Sequence, residues 1–243
     1  MHRLYVEEIT ETDGLIRLSG QNAHYLTNVL RQREGDNVLL FDSSGQVFDA
    51  TITDAGAKEV VLKLTLQYRP KEEQSVAIVL CQGLIKGTKM DYVVEKATEC
   101  GVSEIIPFYS TRCQFTETRK LARWNKIAIE ASRQSQRVTV PVIKAPVSFS
   151  DLLSMIKNQT DSRSYIFYEK GGTSLKSQVL PDDIKTIYTI VGSEGGFSPQ
   201  EISEAEATGV TALYLGSRVL RSETASLASV LLLQFMFGDM VYS

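Results

Sequence analysis

Histidine is nearly absent from this chain: His2 and His24 are the only two in 243 residues. Beyond residue 24 there is no histidine to act as a base, and several-histidine zinc chemistry has nothing to build on. Cysteine is scarce as well. Cys81, Cys100 and Cys113 form no CxxC pair, and three thiols without metal spacing fit a reducing cytosol better than a disulfide framework. Long apolar runs are missing. The richest stretch, Leu227 to Phe237, is interrupted by Ser229 and Gln234 and is too short to span a bilayer. The opening Met1-His2-Arg3-Leu4-Tyr5-Val6 lacks the apolar core of a secretory signal. These absences lead to the expectation of a cytoplasmic protein with neither metal nor membrane.

What is present is a globular composition, 43% hydrophobic, in a chain long enough for one large domain or two modest ones. The net charge is −3 but unevenly spread. Residues 1–70 hold seven Lys and Arg against ten Asp and Glu, whereas residues 110–145 hold eight against two. A concentrated basic region steers an anionic partner whatever the total.

Arg69-Pro70-Lys71-Glu72-Glu73-Gln74 is a charged, proline-bearing break, which predicts two domains, 1–70 and 75–243. Before it the pattern is one of short strands around Leu4–Val6, Leu15–Leu18, Asn37–Phe41, Val47–Thr53 and Val60–Leu66. One helix, from about Gln21 to Arg31, interrupts them, and the whole reads as a small β-barrel. After the break strands and helices alternate, which predicts a mainly parallel sheet covered on both faces. Predicted strands are Val76–Cys81, Ile105–Tyr109, Tyr165–Tyr168, Ile187–Val191 and Leu213–Leu215. Predicted helices are Thr88–Cys100, Arg119 to about Gln136, Leu152–Lys157 and Ser222–Phe237, with a further start at the capping box Ser198-Pro199-Gln200-Glu201.

Two loops follow strands directly. Gly192-Ser193-Glu194-Gly195-Gly196 can bring backbone amides close to a ligand, or can simply be a tight connection. It is neither a Walker A loop, lacking Gly-Lys-Ser/Thr, nor a dinucleotide fingerprint, since Gly216 rather than an acid follows the next strand. The second loop, Gly216 to Thr224, gathers Arg218, Arg221 and Glu223; it is a surface ion-pair cluster or a ligand site. In the helix from Arg119, the cations Arg119, Arg123, Lys126, Arg133 and Arg137 form one stripe with Glu130 inside it. Such a stripe is a solvated face or a contact for a nucleic-acid backbone. His24, Arg31 and Arg33 in the barrel are structural residues or RNA contacts.

Taken together, these residues resemble the ribosomal RNA small-subunit methyltransferase E family, a branch of the SPOUT methyltransferases. The likeness rests on His24, Val29-Leu30-Arg31 and Gly35-Asp36; on Lys89-Met90-Asp91 and Glu95 to Val102; and on Glu130 to Ser135 with Arg137. It is strongest in Gly192-Ser193-Glu194-Gly195-Gly196-Phe197 and Leu215 to Ala225. Ser193 and Ser217 stand where proline is common in such loops. The resemblance implies an α/β fold: a PUA-like β-barrel followed by a SPOUT domain whose parallel sheet carries a trefoil knot. It also implies S-adenosylmethionine as cofactor, uridine N3 of small-subunit (16S) ribosomal RNA as target, and a homodimer with helix Ser222–Phe237 near its interface.

The cofactor is then expected among Phe167, Tyr168 and Glu169; Val191, Gly192, Glu194, Gly195 and Gly196; and Leu215, Gly216, Leu220, Arg221, Thr224 and Ala225. Arg221 and Arg218 are expected to stabilise the uridine anion, with Arg133 acting across a subunit boundary. Glu194 or Glu223 orients the arginines or takes the proton, and the sequence leaves these two roles open. Two rivals stand beside this reading: an RNA-binding or ribosome-assembly factor without catalysis, and a methyltransferase of the same fold acting on another RNA.

Overall fold

The structure, a computed structural model, describes residues 2–42, 45–56, 58–68, 76–113 and 119–240. The charged break at 69–74 lies outside the described residues. The chain divides into two compact units, Met1–Glu72 with Ser132–Val140, and Glu73–Ala131 with Pro141–Ser243.

The first unit is a six-stranded sheet. Its strands are β1 (His2–Tyr5), β2 (Glu11–Thr12), β3 (Leu15–Ser19), β4 (Asn37–Phe41), β5 (Val47–Ala55) and β6 (Glu59–Tyr68), in the order β1-β4-β5-β6-β3-β2. Pairing is antiparallel except between β1 and β4. Register shifts at Asp49/Ala50 and Ile52/Asp54 bend β5 and curl the sheet. Helix α1 (Gly20–His24) runs into a π-helical turn, Tyr25–Val29, and buries Ala23 and Leu26 in a core with Leu4, Ile16, Leu40, Ile52 and Leu62. Arg31, in the left-handed region at φ 54°, ends the helical run, and the Gln32 N–H closes back on the Leu26 carbonyl. Val138 and Val140 pack with Tyr5 against Leu39, Phe41 and Val47, a second apolar patch that gives Ser132–Val140 its place in this unit.

In the second unit every strand pairing among the described residues is parallel. The strands are β7 (Ala77–Gly83), β8 (Glu104–Tyr109), β9 (Val142–Ile143), β10 (Val147–Ser148), β11 (Ser162–Phe167), β12 (Thr173–Ser174), β13 (Thr186–Val191) and β14 (Thr211–Tyr214). Their order is β10-β8-β7-β13-β11-β14-β12, with β9 also on β8. The helices are α2 (Lys89–Glu99), α3 (Leu121–Gln134, its residues from Ser132 on counted with the first unit), α4 (Phe149–Lys157), α5 (Pro199–Ala207) and α6 (Ser222–Phe237).

Local chemistry explains most boundaries. The Ser198 hydroxyl accepts from the Glu201 N–H while the Glu201 carboxylate accepts from the Ser198 N–H, the full capping box. Thr88 precedes α2 as expected, but it has helical dihedrals and no side-chain capping bond. The first turn of α2 is secured from elsewhere, because Asp91 is buried and accepts from Trp124 Nε1 at 3.1 Å and Arg123 Nε at 2.9 Å. Asp91→Ala should therefore cost about 1–3 kcal/mol, since it leaves a buried indole N–H without an acceptor. A urea unfolding midpoint equal to that of the parent chain would refute this.

Helix α3 is shorter than the basic stripe. Arg119 precedes it and Arg137 follows it, beyond Gln136 at φ 63°. Arg137 is buried, with Nη2 donating to the Thr139 hydroxyl at 3.2 Å, and so is not part of an exposed helical stripe. Arg133 is half-buried, with its guanidinium 4.8 Å from the centre of the Tyr25 ring, and donates to the Tyr5 carbonyl.

Helix α6 keeps its expected limits. Its buried side is partly polar. Ser226 donates to Gln82, Thr189 donates to Ser229, and Gln234 donates to the Gly101 carbonyl, so each buried hydroxyl or amide has a partner. Leu231, Leu232 and Phe235 stay exposed, Phe235 to 63%. No described helix is long and apolar enough to cross a membrane.

Candidate active site

The ends of β11, β13 and β14 enclose a cavity of about 460 Å³ in the second unit. Carboxyl ends of parallel strands are where α/β sheets bind ligands. Three segments supply most of the wall: Phe167–Glu169 after β11, Val191–Phe197 after β13, and Leu215–Glu223 after β14. Of the expected cofactor residues, only Thr224 is not in the lining. Arg218, Arg221, Glu194 and Glu223 are in it; Arg133 is not.

The glycine loop is held by tight packing. Phe197 is buried and stacks on Phe108 with ring centres 6.2 Å apart, anchoring the loop in the core. A Cβ at Gly192 would stand 3.1 Å from that ring. At Gly195 it would meet Arg112, whose Nη1 donates to the Gly195 carbonyl at 3.2 Å. The close approach of Arg112 thus by itself requires glycine at 195. Sequence reasoning passed over Gly83 at the end of β7, where a Cβ would fall 2.4 Å from the Ser193 nitrogen. The Ser222 hydroxyl, donating to the Gly192 carbonyl, ties the start of α6 to the same loop.

Lys89 also escaped notice as a site residue. Its ammonium lies 3.6 Å from Glu194 Oε1 and 3.7 Å from Glu223 Oε1, linking the two loops. A lysine at the first position of a helix carries no local signal of such a role; only the fold brings it there. Burial pushes the Glu194 carboxyl up, but the Lys86 and Glu194 backbone N–H groups and the Lys89 ammonium outweigh it, leaving it below the usual carboxylate range. A depressed folded-state value means Glu194 stabilises the fold above its unfolded pKa and loses that contribution as pH falls through the folded value. Glu194→Gln should flatten the acid limb of stability against pH; an unchanged limb would show that Glu194 contributes nothing to it.

The two arginines differ from Lys89. Arg218 and Arg221 are exposed at the cavity and have no carboxylate partner among the described residues. They are available cations, whereas Lys89 is committed to two anions. The site therefore offers apolar walls (Leu215, Val219, Leu220), backbone groups on a glycine loop, three carboxylates and two guanidiniums that no described carboxylate pairs.

Comparison with known proteins decides the lineage. Residues 72–234 match the family described as RNA methyltransferase domain, and residues 18–65 the RNA methyltransferase PUA domain. A ribosomal RNA small subunit methyltransferase E of Buchnera aphidicola is 34% identical, covering 98% of this chain and 94% of that protein. The chain belongs to the ribosomal RNA small subunit methyltransferase E family. A crystal structure of the Neisseria gonorrhoeae member bound to S-adenosyl methionine superposes with a TM-score of 0.90 at 31% identity, over 99% of this chain and all of that one. A Legionella pneumophila structure with the bound cofactor gives 0.86 at 28%, over 98% of both chains. The protein is thus an RNA methyltransferase with a PUA-like first unit and a SPOUT-type second unit. Among the described residues, no group of three or more His, Cys, Asp or Glu side chains is placed to hold a metal ion.

Proposed function

We propose that the chain methylates N3 of a uridine in small-subunit ribosomal RNA, in the cytoplasm, with S-adenosylmethionine held in the cavity at the ends of β11, β13 and β14. The observation that supports the reading is that cavity: its three wall segments are the ones the sequence marks out for the cofactor, in a family member that superposes on a cofactor-bound relative. The residues suit the group. Leu215, Val219 and Leu220 can flank an adenine ring, glycine-loop amides can read its edge, and Glu169, Glu194 and Glu223 favour a cationic sulfonium. The cofactor supplies an electrophilic methyl group. The protein positions the uridine and stabilises the anion left when N3 loses its proton. Arg218 and Arg221 fit that second task, since a guanidinium stays charged and neither has a partner among the described residues. The trefoil knot is part of the same reading, and the crossed order β13-β11-β14 is consistent with it.

N3 is a Watson–Crick donor, so the base must leave its pair, and phosphate contacts can supply the energy for that. The exposed cations Lys126 of α3 and Arg119, two residues before it, are assigned to this, with His24, Arg31 and Arg33 of the first unit, all exposed. Arg123 is a poor probe because reversing it would set a carboxylate against Asp91. The double variant Arg119→Glu, Lys126→Glu should weaken RNA binding at least tenfold at low salt and leave adenosylhomocysteine affinity unchanged. Parent-like RNA binding across a salt titration would make these residues a solvated face only.

A homodimer completes the proposal. Leu231, Leu232 and Phe235 form an exposed apolar face on α6, which favours association. Light scattering should give the dimer mass for the parent and the monomer mass for Phe235→Glu. A monomeric parent at micromolar concentration would end this part of the reading.

A further inference from the structure

Of the three carboxylates at the cavity, one has a buried oxygen that no described donor reaches. Glu169 is exposed at the end of β11. Glu194 is occupied, its Oε1 taking the Lys86 N–H at 3.1 Å and facing the Lys89 ammonium. Glu223 has only 15% of its side chain exposed; Oε1 faces Lys89, while Oε2 is buried with no hydrogen-bond donor among the described residues. A buried carboxylate oxygen without a donor is costly in a folded chain, and Glu223 lines the cavity, where a bound base can supply the donor. The terminal torsion of glutamate is soft, so Oε2 can turn toward the cavity while Lys89 keeps hold of the other oxygen.

We infer that Glu223 takes the N3 proton of the target uridine. The inference rests on the uridine N3 reading above and assigns the base that it leaves open. The N3–H bond breaks and its proton forms an O–H on Glu223 Oε2. The electron pair left on N3 forms the bond to the methyl carbon of S-adenosylmethionine, and the C–S bond breaks with its pair retained on sulfur. Glu223 then returns the proton to solvent. The other charged groups lining the cavity are Lys89, Glu169, Glu194, Arg218 and Arg221. The two arginines favour the imide anion and so help a carboxylate accept a proton that it would not take from free uridine. No histidine stands after residue 24 to compete for the role.

The test uses full-length Glu223→Gln, which keeps the size and one carbonyl acceptor for Lys89. Adenosylhomocysteine affinity by calorimetry should remain within a few-fold of the parent, showing an intact cavity. Single-turnover methylation of small-subunit RNA near neutral pH should fall at least a hundredfold, within the range set by loss of a general base. The loss should shrink as pH rises above the ionisation of uridine N3. It should also shrink at neutral pH when the target is 5-fluorouridine, whose N3 is more acidic. A parent-like rate overturns the inference. So does a loss that neither alkaline pH nor 5-fluorouridine relieves, or a loss of adenosylhomocysteine binding. Absence of transfer by the parent chain at any pH would instead overturn the underlying reading.

Discussion

Arg221→Ala is expected to slow single-turnover methyl transfer by about a hundredfold or more, the scale for losing one preorganised donor to a developing anion. Adenosylhomocysteine affinity should stay within a few-fold. The side chain is exposed at the cavity and bonded to no other described group, so its removal leaves nothing unsatisfied inside the fold. Arg221 serves as the residue before the first turn of α6 through its backbone, whose carbonyl accepts the Ala225 N–H, and alanine preserves that. Stability should therefore be unchanged, separating this variant from a folding defect. Rapid-quench kinetics with calorimetry on the same preparation tests it. An undiminished rate would exclude Arg221 from chemistry and leave Arg218 as the cation for the anion.

Gly83→Val should act on the opposite quantity. The end of β7 lies against the glycine loop so closely that a Cβ would be 2.4 Å from the Ser193 nitrogen and 2.8 Å from the Gly192 carbonyl carbon. Backbone cannot yield as a side-chain tip can, so the loop must move, at a cost of about 1–3 kcal/mol in stability. Its amides then no longer face the cavity as before, and adenosylhomocysteine affinity should drop at least tenfold. Leu220→Asp, which puts a charge on an apolar wall, should lower affinity with a smaller effect on stability. Parent-like affinity in both variants would remove the cofactor from this cavity.

These two residues also show what a linear reading can reach. Arg221 lies in a loop whose wording, Gly216 to Thr224 after a strand, points to a site by itself. Gly83 lies 109 positions from Gly192, and nothing near it in sequence announces the contact. Lys89 is similar: the helix it starts was legible, but its bridge to Glu194 and Glu223 exists only because the fold brings the segments that follow β7, β13 and β14 to one cavity. Elements with strong local chemistry were read well. The capping box at Ser198 and the limits of α6 agree with expectation, as do the main strands of both units. The two-residue strands β2, β9, β10 and β12 were missed because two residues carry no periodicity. The basic stripe failed at its end for a related reason. A helical spacing was extended past Gln134, where the left-handed Gln136 turns the chain and Val138 and Val140 pack with the first unit, taking Arg137 inside.

The rival that keeps the RNA binding and drops the catalysis makes a different forecast for a single experiment. Purified protein, labelled S-adenosylmethionine and small ribosomal subunits from a strain lacking the gene are combined, and the RNA is digested and resolved by mass spectrometry. The account predicts label in N3-methyluridine at one position. Unlabelled RNA, or label on a ribose hydroxyl or another base, would contradict it.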